Sequence, residues 1–476
     1  MARKLSCVIV AGAILLWVVS ASAGGLYVQE LATPRNGTAQ AGQAAYAYDA
    51  ATAFYNPAGM SRLEKPRWLI GFQPFITDIE FDLKGTTTFD GGEGGQQGGV
   101  VPTLGAYYAH PLNDRWALGA SLVGISGGAL NPDNDWAGRF YITNLSLIAL
   151  ALNPTVSFRV NDWLSVGAGV AVNYGVLDFD LKLPRVGNSI DRDALRGSVE
   201  QKIAQSPLPG LIDRINQLPP PIREPILERI DEALAPARAQ LQGVSELLEP
   251  GPEGKVEMSN VYDFAFNYNL GILIEPCERW RFGITYRSEV DFKMHGDFNV
   301  TSLPPIYRAL GLTDGNVEAE IKLPHLVRAS VYHQLTDTVA LMANVGWEQW
   351  SSMEFTPITG PPGEGIQVPR NWKDTWHFAL GTEWRAAPRW LLQTGVAYDT
   401  SPVRDRFDNL PDQPSDRQWR FSVGVVHDWS ERVKIGLNYT FIDFGHSPID
   451  TSNPFGRLAG DYQSFDGHAI ALSVGF

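Results

Sequence analysis

From Pro66 to the C-terminus the sequence keeps returning to one pattern, in which large apolar residues alternate with small or polar ones and then a break intervenes. Trp116, Leu118, Ala120 and Leu122 alternate with Ala117, Gly119 and Ser121. Leu164, Val166, Ala168, Val170 and Val172 alternate with Ser165, Gly167 and Gly169, and Val433, Ile435, Leu437, Tyr439 and Phe441 with Lys434, Gly436, Asn438 and Thr440. A period of two sends the two sets to opposite faces of a strand. The large apolar face needs apolar surroundings, whereas the other face suits water or a polar lumen. A barrel wall with lipid outside satisfies both demands.

About fourteen such segments occur, an even number, as bacterial outer-membrane barrels use. The breaks between them alternate in length. Short ones fall at Asn113-Asp114, Asn161-Asp162, Cys277-Glu278, Thr336-Asp337, Ala387-Pro388 and Ser430-Glu431. Long ones span 84–99, 127–140, 183–257, 299–316, 356–371, 400–416 and 445–463. Turns at one end and loops at the other are the periplasmic and extracellular ends of such a barrel. Trp116, Trp163, Trp280, Trp390 and Trp429 sit beside the short breaks, where an aromatic girdle is expected at the water–hydrocarbon boundary. The last segment, 464–476, ends in Phe476, and a terminal aromatic on an alternating strand resembles the signal read by the barrel assembly machinery. The expected class is all-β: a transmembrane antiparallel β-barrel, standing as a monomer among outer-membrane lipid and lipopolysaccharide.

Residues 1–23 carry the parts of a secretory signal: Arg3 and Lys4, an apolar run from Leu5 to Val19, then Ser20-Ala21-Ser22-Ala23. The run is shorter than the roughly 20 apolar residues of a spanning helix, so cleavage after Ala23 is expected. Cys7 leaves with it and Cys277 remains alone. The next stretch, 24–63, contains AAYAYDAATAFYNPAGMSRL from Ala44 to Leu63, which has neither strand alternation nor a long helical face. Small side chains allow close backbone approach, and Asn56-Pro57 forces a turn because proline disfavours the α conformation before it. The stretch reads as a plug, or hatch, inside the barrel formed by 64–476; a flexible N-terminal arm is the alternative.

Helical spacing is confined to the 183–257 break, in Ala194–Gln205, Leu211–Leu218 and Ile226–Leu248, interrupted by Pro207, Pro209 and Pro219–Pro221. Short amphipathic helices on the extracellular side are predicted, either as a lid over the barrel mouth or as a contact for lipopolysaccharide or a partner. The Gly-rich stretch 91–99 reads as a mobile loop. A net charge of −14 with no basic patch argues against nucleic-acid binding. Gly124-Ile125-Ser126-Gly127-Gly128 matches the hydrolase elbow G-x-S-x-G, but no helix follows it, as that chemistry requires. The eight His lack ligand spacing and no cysteine pair exists, so neither enzyme, metal site nor cofactor is expected.

Several stretches together resemble the FadL/TodX outer-membrane transporters of long-chain fatty acids and hydrophobic compounds. They are Asp49–Met60 (DAATAFYNPAGM), Leu323–Leu335 (LPHLVRASVYHQL), Asn371–Trp384 (NWKDTWHFALGTEW), Gly395–Val403 (GVAYDTSPV), Leu410–His427 and the terminal Phe476. The resemblance implies a fourteen-stranded barrel, an N-terminal hatch, capture at the extracellular side and lateral exit at an inward-kinked third strand. The implied activity is passive uptake of a long-chain fatty acid, with aromatic hydrocarbon or alkane uptake, or a structural or adhesive barrel acting through 183–257, as alternatives. Three sites follow as expectations. Asn56, Pro57 and Ala58 form the hatch turn. Arg370 and Lys373 meet an acyl head group, or else are solvated rim charges. Gly124, Gly127 and Gly128, at the end of the third segment (Arg115–Ser126), kink it into a lateral gate, or else merely begin the 127–140 loop.

Overall fold

The short turns are built by side chains that cap their own backbone. Asn113 Oδ1 accepts the N–H groups of Arg115 and Trp116 at 2.9 and 3.0 Å, and Asn161 Oδ1 those of Trp163 and Leu164 at 3.0 and 2.9 Å. Thr336 Oγ1 and Ser430 Oγ do the same for Val339 and Val433, each at 3.0 Å. These are the Asx and Ser/Thr turns that let a chain reverse within a few residues, so consecutive strands pair antiparallel.

The computed structural model describes residues 27–185, 208–247 and 252–476 apart from 310, 362, 364, 454 and 455. Fourteen antiparallel staves close into one barrel. In chain order they are β1 (Arg67–Leu83), β2 (Val100–Pro111), β3 (Trp116–Leu130), β4 (Asn144–Asn161), β5 (Leu164–Leu183) and β6 (Gly254–Cys277). Four interrupted staves follow: β7 (Trp280–Arg287, Val290–Thr301), β8 (Gly315–Leu323, Leu326–Gln334), β9 (Val339–Glu348, Phe355–Thr359) and β10 (Gly365–Pro369, Thr375–Ala387). The circuit ends with β11 (Trp390–Asp399), β12 (Gln418–Asp428), β13 (Lys434–Asp443, Ser447–Asn453) and β14 (Gly456–Gly475). Leu69 pairs with Gly475, and Trp68 and Phe476 exchange N–H···O bonds of 2.7 and 3.0 Å, closing the ring at the short-turn end.

The large apolar set faces outward as the alternation predicts; Leu104, Phe266 and Leu380 are each more than 60% exposed. Trp116, Trp163, Trp390 and Trp429 stand exposed at the short-turn end. Three long breaks are more ordered than their sequence implies. The 356–371 break is largely a hairpin, Phe355–Thr359 against Gly365–Pro369, and 445–463 contains another, Ser447–Asn453 against β14. Both carry proline or acidic residues in place of the alternating apolar set. The Gly-rich 91–99 stretch packs down: Gly94, at φ +86°, lies against the fully buried indole of Trp136, and Arg139 links Asp90 to Glu253. In the insertion, helices run over Leu208–Asn216 and Pro220–Leu247. The helix expected over Ala194–Gln205, like the signal peptide, lies outside the described residues.

Residues 27–63 occupy the lumen. The turn Pro34–Thr38 packs against β10–β13, and the turn Pro57–Arg62 packs across the lumen against β3–β6. A belt of inward-facing wall glycines makes room for them: Gly71, Gly105, Gly119, Gly167, Gly271, Gly283, Gly381, Gly395 and Gly424. A Cβ at Gly119 would stand 2.9 Å from Ala53 Cβ, and one at Gly381 2.9 Å from Ala41 Cβ. Three of the pairs face each other across the ladder, Gly71 with Gly105, Gly167 with Gly271 and Gly381 with Gly395. The small set of the alternation therefore accommodates backbone. Gly381→Val should overpack this contact by about 1–3 kcal/mol and expel the plug without opening the wall. The expected result is heat-modifiable gel mobility like wild type with a several-fold rise in liposome permeability to small sugars; a barrel as tight as wild type would refute the belt's role.

Candidate functional site

Asn56 anchors the plug at its last turn. Its Oδ1 accepts the Ala58 N–H at 3.1 Å, and its Nδ2 donates to Ala44 O at 2.6 Å and to Ile272 O of the β6 wall at 3.0 Å. Pro57 opens the turn, where its missing N–H costs nothing, and Ala58 is fully buried. The sequence thus gives the turn, while the bond to Ile272 is set by the closed wall.

Two cavities flank the plug arm. The outer, about 160 Å³, is lined by Phe75, Ile79, Leu130, Leu147, Ile442, Phe444 and Phe465, with Glu30, Asp412 and Arg420 as its charged groups. The inner, about 50 Å³, is lined by Leu31, Phe54, Tyr55, Ile125, Arg287 and Arg328. Tyr27 and Val28 belong to both linings and form the partition. Burial pushes the Tyr27 and Tyr55 phenols above their usual range, so both stay neutral. Tyr27 donates to Pro324 O at 2.9 Å.

Most inward-facing arginines are already matched. Arg420 pairs with Glu30 at 2.8 Å and with Asp399; Arg328 pairs with Glu348 at 3.1 Å and also donates to Gln29 and Gln43. Arg35 of the plug pairs with Glu383. Arg287 differs. One nitrogen donates to Phe54 O at 3.1 Å and the guanidinium lies 3.9 Å from the Phe54 ring centroid, but Nη1 is buried without a partner. No carboxylate among the described residues pairs with it. This residue escaped sequence reading although a signal existed: Arg281, Gly283, Thr285 and Arg287 form the inward set of one wall segment, and ionisable residues inside a membrane mark ligand paths.

The two cations expected at a head-group site are absent from the linings of both cavities. Arg370 is buried and held by Asp412 through two bonds of 2.9 and 2.6 Å and by Thr356 at 3.0 Å. It therefore fixes the Asp412 segment that lines the outer cavity and presents no free donor to it. Lys373 is half-buried, its N–H on Pro402 O, and lines neither cavity.

The glycines of the third strand lie within β3, which continues to Leu130, so they do not begin the following loop. The β2–β3 ladder stops at Gly105–Val123, while β2 stays paired with β1 to Val100 and β3 with β4 to Leu130. The β3–β4 register shifts between Gly124 and Ser126, and Ile125 turns into the inner cavity. Its carbonyl accepts the Val28 N–H at 3.1 Å, and Tyr27 bridges Ser126. Above Val123 the plug arm bonds β3 where its ladder with β2 has ended, and Gly127 and Gly128 of this unladdered stretch line the outer cavity.

A closed barrel with a lipid-facing apolar belt, a lumen stopped by its own N-terminal segment and apolar cavities beside a break in the ladder define a plugged outer-membrane β-barrel. The sequence profile of the family described as outer membrane protein transport protein (OMPP1/FadL/TodX) matches residues 14–476, and the chain belongs to that family. It is 26% identical over 443 residues to the long-chain fatty acid transport protein of Escherichia coli strain K12, covering 90% of each chain. It is 23% identical over 460 residues to outer membrane protein P1 of Haemophilus influenzae, covering 92% of this chain and 90% of that one. Among solved structures, a Pseudomonas aeruginosa FadL homologue superposes with a TM-score of 0.76 at 22% identity, covering 95% and 99% of the chains. The Pseudomonas putida toluene transporter TodX superposes with a TM-score of 0.61 at 16% identity, covering 96% and 99%; at these identities both likenesses concern the fold.

Asn56→Ala should strand the carbonyls of Ala44 and Ile272 and the Ala58 N–H inside the lumen, at about 1–3 kcal/mol for an unsatisfied buried group. Hydrogen-exchange protection over residues 40–60 is expected to fall about tenfold or more, with β6 unchanged; equal protection in mutant and wild type would remove Asn56 as the anchor.

Proposed function

We propose that the chain carries hydrophobic small molecules across the outer membrane by passive diffusion, with a long-chain fatty acid as the ligand and lateral exit between β2 and β3. The observation behind this is the loss of the β2–β3 ladder above Gly105–Val123, where Gly127 and Gly128 border an apolar cavity. A hydrophobic solute gains nothing from a watery pore, and this geometry offers it apolar pockets followed by a route into lipid. Gly124, Gly127 and Gly128 serve as the gate because glycine weakens a strand where it must leave its neighbour. The relatives named as long-chain fatty acid transport proteins support the ligand class.

Arg287, in place of Arg370, is the partner for an acyl carboxylate. A charge with a free buried donor beside an apolar cavity is incomplete until an anion arrives, whereas Arg370 has Asp412. The likeness to toluene transporters keeps a neutral hydrocarbon as the competing ligand, and Arg287 separates the two. Arg287→Gln should weaken laurate binding by about tenfold to a hundredfold, the range of a lost charged hydrogen bond, and leave dodecanol binding unchanged. Equal loss for both ligands would favour the hydrocarbon, and loss for neither would remove Arg287 as the head-group partner.

The gate has its own test. A Cβ built at Gly127 stands 3.4 Å from Val101 Cγ1 across the gap, so Val101→Cys with Gly127→Cys places two thiols within reach. Oxidation is expected to abolish fatty-acid uptake in cells and reduction to restore it, with the barrel folded in both states. Uptake indifferent to a crosslink confirmed by mass would exclude this exit.

A further inference from the structure

At the short-turn end of the lumen, on the other side of the plug, lies a second charge that nothing among the described residues balances. Arg281, the second residue of β7, is 1% exposed, and none of its three guanidinium nitrogens has a hydrogen-bond partner. It lies between two phenol rings, 4.2 Å from the centroid of Tyr48 on the plug and 3.8 Å from that of Tyr332 on β8. Ring faces attract a cation but leave its N–H donors unsatisfied. Two more guanidinium groups crowd the same place. Arg62, in the last turn of the plug, approaches Tyr48 at 5.6 Å and pairs with Glu275, and Arg159 donates to Ser61 O. Burial, and then the charge of Arg281, lower Arg62 to about 10. Three arginines thus share one carboxylate, while Arg35, Arg328 and Arg420 each have their own.

We infer that Arg281, with Arg62 beside it, is an anion site for the carboxylate of an amphiphile, closed by Tyr48. Tyr48 and Tyr332 line a vestibule of about 390 Å³ together with Leu69, Leu391 and Val426, which gives an acyl chain apolar surface next to the charge. None of the four acidic groups of that vestibule pairs with Arg281: Glu383 pairs with Arg35, Asp428 with Arg385 and Lys434, and Asp337 with Arg279, while Asp49 accepts the Ala51 N–H at 2.9 Å. Tyr48 is suited to act as the cover. It is 46% exposed, and its ring stands between the vestibule and the Arg281 guanidinium, in edge contact with Tyr46 and Tyr332. The site rests on the reading of the chain as a carrier of carboxylate-bearing hydrophobes. It adds a second station for the carboxylate, beyond the plug and apart from the β2–β3 gap.

The test is the stoichiometry of laurate bound to the full-length mature protein in lipid nanodiscs, read by equilibrium dialysis. Wild type is expected to bind two laurates, Arg281→Gln one, Arg287→Gln one, and the double variant none, with dodecanol as the uncharged control. Two laurates on a folded Arg281→Gln protein would overturn the site, whereas two on Arg287→Gln would overturn only the head-group role given to Arg287. Displacement of one laurate by excess inorganic phosphate at constant ionic strength would overturn its assignment to amphiphiles. Because Arg281→Gln could disturb the plug, Tyr48→Ala provides a second arm that keeps the guanidinium. It should speed dissociation of the Arg281-bound laurate at least about tenfold, in the rate through which related complexes mostly differ; an unchanged rate would overturn the closed site.

Discussion

In lipid a backbone N–H or C=O has no water to turn to, and the architecture of this chain follows from where its wall finds partners. Fourteen staves solve the problem by closing on themselves, through Trp68 and Phe476. Where the ladder is broken, a local substitute is supplied. Val28 of the plug bonds Ile125 where β3 leaves β2, and Ser288 Oγ accepts the Tyr268 N–H where β7 is interrupted. Arg370 and Asn371 give their N–H groups to Glu354 O across the interruptions of β10 and β9. A break beside a glycine-rich strand is thus tolerable because the plug arm stands in for the missing neighbour.

The same dependence runs in the other direction. The plug holds Ala32, Ala39, Gln40 and Ala47 in the left-handed region, at roughly 1–2 kcal/mol per residue relative to ordinary backbone. No segment so rich in alanine would adopt that path alone. The glycine belt sets its clearance, and wall partners set its register: Glu383 for Arg35, Arg420 for Glu30, Gln73 for Asn36, and Ile272 O for Asn56. Buried pairs of this kind are weak sources of net stability but costly to mismatch, which suits a segment that must sit in one position and still yield locally.

Much of this was legible because each level uses a separate signal. Alternation fixed the wall and its facing, turn residues such as Asn113 and Asn161 fixed the short ends, and Asn56-Pro57 fixed the plug turn. What escaped were pairings between residues distant in the chain. Arg370 reads as a free rim cation until the fold brings Asp412 to it, and Arg287 reads as one polar residue among several until no acid proves to be near. Gly124, Gly127 and Gly128 were ambiguous for a related reason: the same residues suit a loop start and a strand edge, and the ladder of β4 decides for the strand. The hairpins over 355–369 and 447–463 escaped because they show no sustained alternation: a few apolar residues such as Ile449 and Leu458 pack inward, and the outward face carries no lipid-facing set.

The distribution of polar groups along the lumen bears on direction. The outer cavity is mainly aromatic and aliphatic, while the vestibule beyond the plug mixes apolar surface with several ion pairs. An alkyl chain moving from water into an apolar cavity gains about 0.8 kcal/mol per methylene, and it keeps that gain on passing into the bilayer. On the proposed route, capture and lateral release are both downhill or level, and no energy source is needed. The barrier then lies at Tyr27 and Val28, which separate the cavities and complete the ladder of β3. Moving that arm exposes Ile125 O unless the ligand or β2 covers it at once. A carboxylate drawn toward Arg287 would pull the chain behind it against this arm, so the charge contributes by placing the hydrophobe where the wall is weakest rather than by binding it tightly.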